Sequence, residues 1–238
     1  MLKKIVSYLG ENPNRLRREN EVPGWDYFFV SPKKLLKKKE NGELLQFFTF
    51  SGTHYGYPYS QFLNIDSLVI ICGGSGSGKD SIMNELCSST KDESDKTVGF
   101  LFAFPETVPL FVEYAESMHI PYKILNFIVE EDERLKRIIA GGLSSLPELE
   151  KSKIDVVVKK ISDSFRIDVF KDSKEVDYSG PILEVINIAS LRVIRDREKP
   201  LDEGITWLEK EKGYVVSKIN LTKLDFPSAC NTILMEMM

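Results

Sequence analysis

The sequence has few of the residues that form metal centres or disulfide frameworks. Its 238 residues include only three cysteines and two histidines. Cys72, Cys87 and Cys230 lack the short spacings of a metal site, so we expect buried thiols in a reducing compartment. His54 and His119 have no neighbouring pattern typical of metal binding or nucleophilic catalysis.

The chain also lacks long apolar runs and a marked excess of one charge. No run approaches the roughly 18 apolar residues of a membrane span, and the N-terminus has no signal-peptide core. The net charge of −4 gives no overall attraction to nucleic acid. A run of lysines at 33, 34 and 37–39 is typical of a solvated helix face. We therefore expect a cytoplasmic protein without a membrane partner, and nucleic acid is the less favoured partner.

A glycine-rich stretch carries the strongest chemical signal. An apolar run, Leu68–Cys72, predicts a buried strand before it, and Ile82–Cys87 is compatible with a helix after it. Between them, Gly73 to Lys79 fits the phosphate-loop pattern G-x-x-x-x-G-K in the strand-to-helix context that it requires. The alternative is a Gly/Ser-rich turn without a ligand. The residues that we expect at the phosphates of ATP are Gly73, Gly74, Ser75, Gly76, Ser77, Gly78, Lys79, Asp80 and Ser81.

Magnesium would be held in an unusual way. Asp80 stands where the pattern has the Ser or Thr whose hydroxyl binds the ion, and Ser81 lies one position later. A carboxylate oxygen also suits this hard cation. We therefore predict Asp80 and Ser81 as the magnesium residues. The apolar strand that follows, Val98–Phe104, ends without a carboxylate, and Glu106 is the nearest one.

Apolar strands alternate with helical segments along the chain, which predicts an α/β fold. We expect a P-loop NTPase core with a doubly wound, mostly parallel sheet and a small mixed nucleotide-binding subdomain. The predicted strands are Lys3–Leu9, Asp26–Val30, Leu44–Phe50, Val98–Phe104, Tyr122–Val129, Ile182–Ile188 and Tyr214–Ile219. The predicted helices are Lys33–Asn41, Glu106–His119, Glu130–Ile139, Pro147–Phe165, Leu201–Lys212 and Pro227–Met237.

A series of short motifs precedes the glycine-rich loop. Arg15 and Arg18 are followed by D-Y-F-F-V-S at 26–31, G-E-L-L-Q-F at 42–47 and S-G-T-H-Y-G at 51–56. These motifs resemble the nucleotide-binding region of guanylate kinases, and residues 128–137 resemble the strand and helix that lead into that family's lid. In the family the phosphate loop comes first, so the resemblance implies a circular permutation. It also implies an acceptor-binding subdomain at 1–62 and a core at 63–238, with a lid at about 134–160 and a C-terminal extension.

The resemblance implies roles for the matching residues. Arg15 and Arg18 would grip the phosphate of the acceptor nucleotide, and Tyr27 and Tyr55 would hydrogen-bond to it. Arg137 would lie over the donor adenine. Gly141 and Lys160 stand where the family has further lid arginines that clamp the transferring phosphoryl group. Arg134 and Lys159 would take over that role. The predicted catalytic residues are Lys79, Asp80, Arg134 and Arg137.

Two positions that read the base in the family differ here. Gln46 replaces a glutamate, and Tyr57 replaces a serine or threonine that reads or orients guanine. A carboxylate only accepts hydrogen bonds, whereas an amide accepts and donates. The change predicts a base other than guanine, such as a pyrimidine, adenine or a modified base.

We interpret the chain as an ATP- and magnesium-dependent transferase of nucleotide metabolism, with a G-K-D loop similar to that of some phage nucleotide kinases. It would phosphorylate a nucleoside or deoxynucleoside monophosphate. One alternative is a kinase whose acceptor is a sugar phosphate or a modified base in DNA. Another is an inactive guanylate-kinase-like module that binds a partner, although such modules usually lose the lysine that Lys79 supplies.

Overall fold

The computed structural model describes residues 1–12, 15, 17, 21–50, 52–74, 76–89, 96–131, 133, 134, 137 and 200–237. The strands are β1 (Leu2–Lys4), β2 (Tyr8–Gly10), β3 (Phe28–Val30), β4 (Leu44–Phe50), β5 (Thr53–Pro58), β6 (Ser67–Gly73), β7 (Val98–Phe102), β8 (Tyr122–Ile128) and β9 (Val216–Asn220). The helices are α1 (Pro32–Glu40), α2 (Lys79–Ser89), α3 (Val108–Ser117), α4 (200–210) and α5 (Phe226–Met237). Short 3-10 helices span Tyr59–Phe62 and Pro105–Thr107.

A five-stranded sheet has the order β1-β7-β6-β8-β9. β7 pairs in parallel with both β1 and β6, and β8 pairs in parallel with β9. Its central strands β6 and β7 are nearly continuous apolar runs, as expected where helices cover both faces of a parallel sheet. In β6 the five residues from Leu68 to Cys72 are all buried. The α/β fold class with a mostly parallel sheet is thereby confirmed.

A four-stranded mixed sheet has the order β3-β2-β5-β4. β2 pairs in parallel with β3 and antiparallel with β5, and β4 pairs antiparallel with β5. Helix α1 begins where the sequence predicts it, because the Ser31 hydroxyl accepts a hydrogen bond from the Lys34 N–H at 3.3 Å and Pro32 follows the cap. Leu35, which is fully buried, is the apolar anchor of α1.

The chain divides into two compact units. The first comprises Met1–Ile71, Met83–Ala103 and Thr107–Lys123, and includes the mixed sheet. The second comprises Cys72–Ile82, Phe104–Glu106 and the described part of Ile124–Met238, and includes the glycine-rich loop. The predicted boundary at residue 62 stays a prediction.

Some predicted elements need correction. Lys3–Leu9 is not one strand but two, since β1 belongs to the five-stranded sheet and β2 to the mixed sheet. Asp26 and Tyr27 precede β3 rather than form its start, and the segment predicted as the helix Glu106–His119 begins with a 3-10 turn. The predicted helix Pro147–Phe165 and strand Ile182–Ile188 lie outside the described residues. Within the described ranges, no helix is long and apolar enough to cross a membrane.

Candidate functional site

The glycine-rich loop connects β6 to α2, as its sequence predicts. Strand β6 ends at Gly73 and helix α2 begins at Lys79. Gly76 and Gly78 adopt φ values of 76° and 86°, a left-handed conformation that residues with a Cβ rarely adopt. The Ser77 N–H donates to the Gly74 carbonyl at 3.2 Å, which closes the turn. The N-terminus of α2 follows directly, so its partial positive charge favours an anion at this loop.

Three cationic side chains lie against this loop within the second unit. Lys79 Nζ donates to the Gly74 carbonyl at 3.3 Å. A Cβ placed on Gly74 would lie 2.5 Å from Arg134 Nη2, so the guanidinium packs on the bare glycine. Arg134 itself is only 2% exposed. On Gly78, a Cβ would lie 3.7 Å from Arg137 Nη1. Concentrated positive charge at a helix N-terminus makes the loop suited to a phosphate chain.

Arg137 is positioned by two groups. Its Nε donates to Glu133 Oε1 at 3.0 Å, one helical turn earlier, and its Nη2 donates to the Leu221 carbonyl at 3.3 Å. Leu221 directly follows β9, and the next residue, Thr222, accepts a hydrogen bond from the Glu130 N–H at 2.9 Å. The residues after β9 therefore help to orient Arg137, which lies against the glycine-rich loop.

The oxygen groups of the loop suit a hard cation. Asp80 lies in the first turn of α2, and both Asp80 and Ser81 are exposed, so their oxygens are accessible. The Ser77 hydroxyl is buried and has no hydrogen-bond partner in the described part of the chain. Magnesium commonly binds one or two carboxylates together with substrate phosphates and water, and this donor set fits that requirement.

Glu106 belongs to the same electrostatic environment. Burial, followed by the charge of the Glu106 carboxylate, raises the pKa of the Cys72 thiol to about 12, and the Lys79 ammonium opposes the shift. Both charges therefore lie within electrostatic reach of the residue that precedes the loop. The sequence identified Glu106 as the nearest carboxylate after β7 but gave it no role in the site.

In the first unit, three of the predicted acceptor residues lie together. The Arg15 guanidinium carbon lies 5.7 Å from the centre of the Tyr27 ring, and the Tyr27 and Tyr55 rings are 6.0 Å apart. Arg15 is 5% exposed. Burial lowers the pKa of Arg15, but hydrogen bonding and charge from Glu21, aided by Tyr27 and Tyr55, outweigh this effect and raise the pKa overall. The arginine is thus a permanent cation beside two phenols.

Glu21 is a functional candidate that the sequence did not single out. Its two carboxylate oxygens accept from both terminal nitrogens of Arg15, one of them at 2.9 Å, in a fork-to-fork pair. Glu21 is 8% exposed, so the pair is buried. The only available signal was an acidic residue six positions after Arg15 in a basic turn. The pair fixes the guanidinium plane before any ligand arrives.

The two predicted base-reading residues have different environments. Tyr57 donates its hydroxyl to the Phe102 carbonyl at 2.9 Å and packs edge-on against Phe111 at 5.3 Å, as a core residue does. Gln46, which faces Tyr57 in the β4–β5 register, is 7% exposed. Its Oε1 has no hydrogen-bond partner among the described residues. Gln46 therefore retains a buried acceptor, whereas the Tyr57 hydroxyl is engaged in the fold.

Comparison with known proteins finds a partial sequence similarity. No protein-family model matches the chain. Over 53 residues it is 42% identical to the guanylate kinase of Malacoplasma penetrans, a match that covers 22% of this chain and 27% of that protein. Over these residues the chain is similar in sequence to guanylate kinase. The chain thus spans about a quarter of the length of this curated relative. The crystal structure of guanylate kinase from Anaplasma phagocytophilum aligns with a TM-score of 0.42 at 14% identity, covering 99% of this chain and 74% of that one.

The resemblance to guanylate kinases is confirmed at this partial level, and the circular permutation stays a prediction. Arg18, Ser75, Gly141, Lys159 and Lys160 lie outside the described residues. The described candidates fall into three groups. One lies at the glycine-rich loop in the second unit. In the first unit, Arg15 lies with Tyr27 and Tyr55, and Gln46 is paired with Tyr57 between β4 and β5.

Proposed function

We propose that this protein transfers the γ-phosphoryl group of ATP to a nucleoside or deoxynucleoside monophosphate. The observation that carries the proposal is the placement of Lys79, Arg134 and Arg137 against the loop from Gly74 to Gly78. A phosphoryl group in transfer spreads negative charge over its oxygens, and catalysis consists almost entirely of alignment and charge stabilisation. The partial homology with guanylate kinase supports a nucleotide substrate.

The donor nucleotide would be held by the second unit. Loop amides and the Lys79 ammonium would hold the phosphates of ATP, and Arg134 would stabilise the charge of the phosphoryl group as it moves. Arg137, tied to the Leu221 carbonyl, would face the donor base. Asp80 and Ser81 would hold magnesium, which when bound neutralises phosphate charge.

The acceptor phosphate would be held by Arg15, Tyr27 and Tyr55, with Arg18 as a further ligand. The Glu21 pair keeps Arg15 in one orientation, so less side-chain entropy is lost when the phosphate binds. Hydroxyl donors from the two tyrosines would complete the contacts. Direct transfer from donor to acceptor would need no covalent intermediate.

Gln46 would discriminate between bases. The guanine edge that a glutamate reads presents two N–H donors, which an acceptor-only carboxylate satisfies. The buried Oε1 of Gln46 offers one acceptor, and its amide nitrogen offers donors. Adenine, pyrimidines and modified bases present donors and acceptors together. We therefore propose an acceptor base other than guanine.

The test is a panel of ribo- and deoxyribonucleoside monophosphates with ATP and magnesium, read as ADP formation. One non-guanine monophosphate should exceed the ATP hydrolysis rate in water by at least about tenfold, and Lys79→Ala should remove this activity. Lys34→Ala, an exposed lysine of α1, is the matched control and should keep it. The proposal fails if no monophosphate exceeds the hydrolysis rate. Activity on polynucleotide that falls steeply with added salt would indicate the DNA alternative instead.

A further inference from the structure

A small polar cavity lies beside the glycine-rich loop in the second unit. Its volume is about 30 Å³. It is lined by Gly74 of the loop, by residues 126–129 at the end of β8, by Arg134, and by Leu201 and Asp202 of α4. A buried water molecule needs roughly 10–15 Å³ and two to four polar partners. The cavity therefore has the size and the polar lining for one water molecule.

Asn126 is the group in this cavity that needs a partner. The residue is 4% exposed, and its neighbours in β8, Leu125 and Phe127, are buried apolar side chains. Its Oδ1 is buried and has no hydrogen-bond partner within the described part of the chain. A buried acceptor without a donor costs about 1–3 kcal/mol, so such groups in native proteins are usually bonded to protein or to ordered water.

We infer that Asn126 is a positioning residue for Arg134 and acts through one bound water molecule. The water would donate to Asn126 Oδ1 and to the Asp202 carboxylate and accept from the Arg134 guanidinium. Three hydrogen bonds are the usual number for a buried water. Because Arg134 packs directly on Gly74, an arginine held in this way keeps its charge over the phosphate loop.

This inference deepens the proposed function and rests on it where Arg134 is assigned to the phosphoryl group. It adds α4, through Asp202, to the residues that determine the phosphate site. The inference also gives a reason for a polar residue at position 126 within an apolar strand. An apolar residue there would remove the unsatisfied oxygen, and Arg134 would lose a support.

The test uses binding of magnesium tripolyphosphate by calorimetry, which needs no acceptor, together with kcat and KM on the best monophosphate. Asn126→Leu fills the cavity and removes the acceptor. It should weaken tripolyphosphate binding and lower kcat, each about tenfold, with KM for the acceptor within about threefold. Asn126→Ser keeps an oxygen and leaves room for water, so both quantities should stay within about threefold of the unmodified chain. Leu125→Ala changes a buried neighbour and is the control. It should lower the melting temperature without the tenfold losses in tripolyphosphate binding and kcat.

Asp202→Ala gives a test that does not depend on a core substitution, because Asp202 is exposed. Removing a negative charge near the loop would by itself strengthen anion binding. If Asp202 anchors the water, tripolyphosphate binding should instead weaken by about threefold. Unchanged or stronger tripolyphosphate binding in Asp202→Ala overturns the inference. So does an Asn126→Leu chain that folds and has the same tripolyphosphate binding and kcat as the unmodified chain.

The same measurements separate this inference from the proposed function. If the chain phosphorylates no monophosphate but the variants rank as expected in tripolyphosphate binding, the proposed function fails and the role of Asn126 stands. If the chain is an active kinase and the variants do not differ, the role of Asn126 fails alone. Absence of tripolyphosphate binding to the unmodified chain overturns the role of Asn126, and both proposals fail if, in addition, no monophosphate is phosphorylated.

Discussion

Gly74→Ala is the substitution that most directly tests whether Arg134 belongs to the phosphate site. The new Cβ would lie 2.5 Å from Arg134 Nη2 and 2.9 Å from its Cζ. Ordinary contacts begin near 3.4 Å, so the guanidinium must retreat by about 1 Å. The left-handed glycines of the loop are Gly76 and Gly78, so alanine at position 74 introduces no comparable backbone strain.

The expected effect follows from the contacts that the displaced group would make. A hydrogen bond to a charged partner contributes about 1.5–3 kcal/mol. Each 1.36 kcal/mol corresponds to about tenfold in rate. Gly74→Ala should therefore lower kcat by about 10- to 150-fold. The chain should remain folded, because the crowded atoms are the far end of a long side chain rather than backbone.

The assay is a double-mutant cycle with Arg134→Ala, measured as kcat on the preferred monophosphate. If Gly74→Ala acts through Arg134, it should have little further effect once the arginine is absent. Gly10→Ala in β2, where the nearest atoms to a new Cβ are an ordinary 3.4–3.5 Å away, is the matched control. Two losses that simply multiply in the double variant would refute the reasoning, as would a Gly74→Ala chain with unchanged kcat.

Three further substitutions test other parts of the site. Gln46→Glu should shift the preference among monophosphates toward GMP or dGMP, because it restores an acceptor-only side chain; an unchanged base profile would mean that Gln46 does not read the base. Asp80→Ala should lower kcat more than it weakens ATP binding in calorimetry, and equal losses would indicate that Asp80 builds the loop instead. Because burial and Glu106 raise the pKa of Cys72 from 9.0 to about 12, the unfolded chain loses its thiol proton at lower pH than the folded chain. The free energy of unfolding should therefore fall as pH rises above about 9 in urea titrations, and it should fall less in Cys72→Ala.

The elements around the loop were predictable because they depend on local sequence. The apolar run that ends at Cys72 has the pattern of a buried parallel strand, and the glycines that follow permit the turn into α2. The start of α1 was readable from Ser31 and Pro32. Strand β4 has the predicted ends, Leu44 and Phe50.

The division of Lys3–Leu9 could not be read from its pattern, because the change of partner strand is a tertiary event. Ile5, Val6 and Ser7, which lie between the two strands, are all buried. The Ile5 N–H donates to the Phe100 carbonyl beside β7, whereas the Ser7 carbonyl accepts from the Phe28 N–H of β3. The chain therefore passes from one sheet to the other within three buried residues, and no turn residue among them marks the change.

Some of the contacts that set the site electrostatics were also hidden from local patterns. Glu21 is important only because it reaches Arg15. Arg134 was predicted as a candidate through the family resemblance, but its packing on Gly74 could not be read from the sequence. Asn126 looks like an isolated polar interruption of a strand until its buried oxygen is placed in the cavity beside the loop. Each of these depends on a spatial approach between segments that are separated in sequence.

The segment after residue 199 had no assigned role in the sequence, and its contacts now connect it to the phosphate loop. The Leu221 carbonyl accepts from Arg137, and the Thr222 hydroxyl accepts from the Glu130 N–H, a few residues before Arg134. Gly204 of α4 packs so closely on Pro105 that a Cβ there would lie 2.6 Å from the proline. Strand β9 supplies the parallel neighbour of β8, the strand that carries Asn126. Because these contacts hold Arg137 and residues of α4 line the cavity beside Arg134, the described C-terminal segment is a structural part of the proposed phosphate site rather than an appendage to the core.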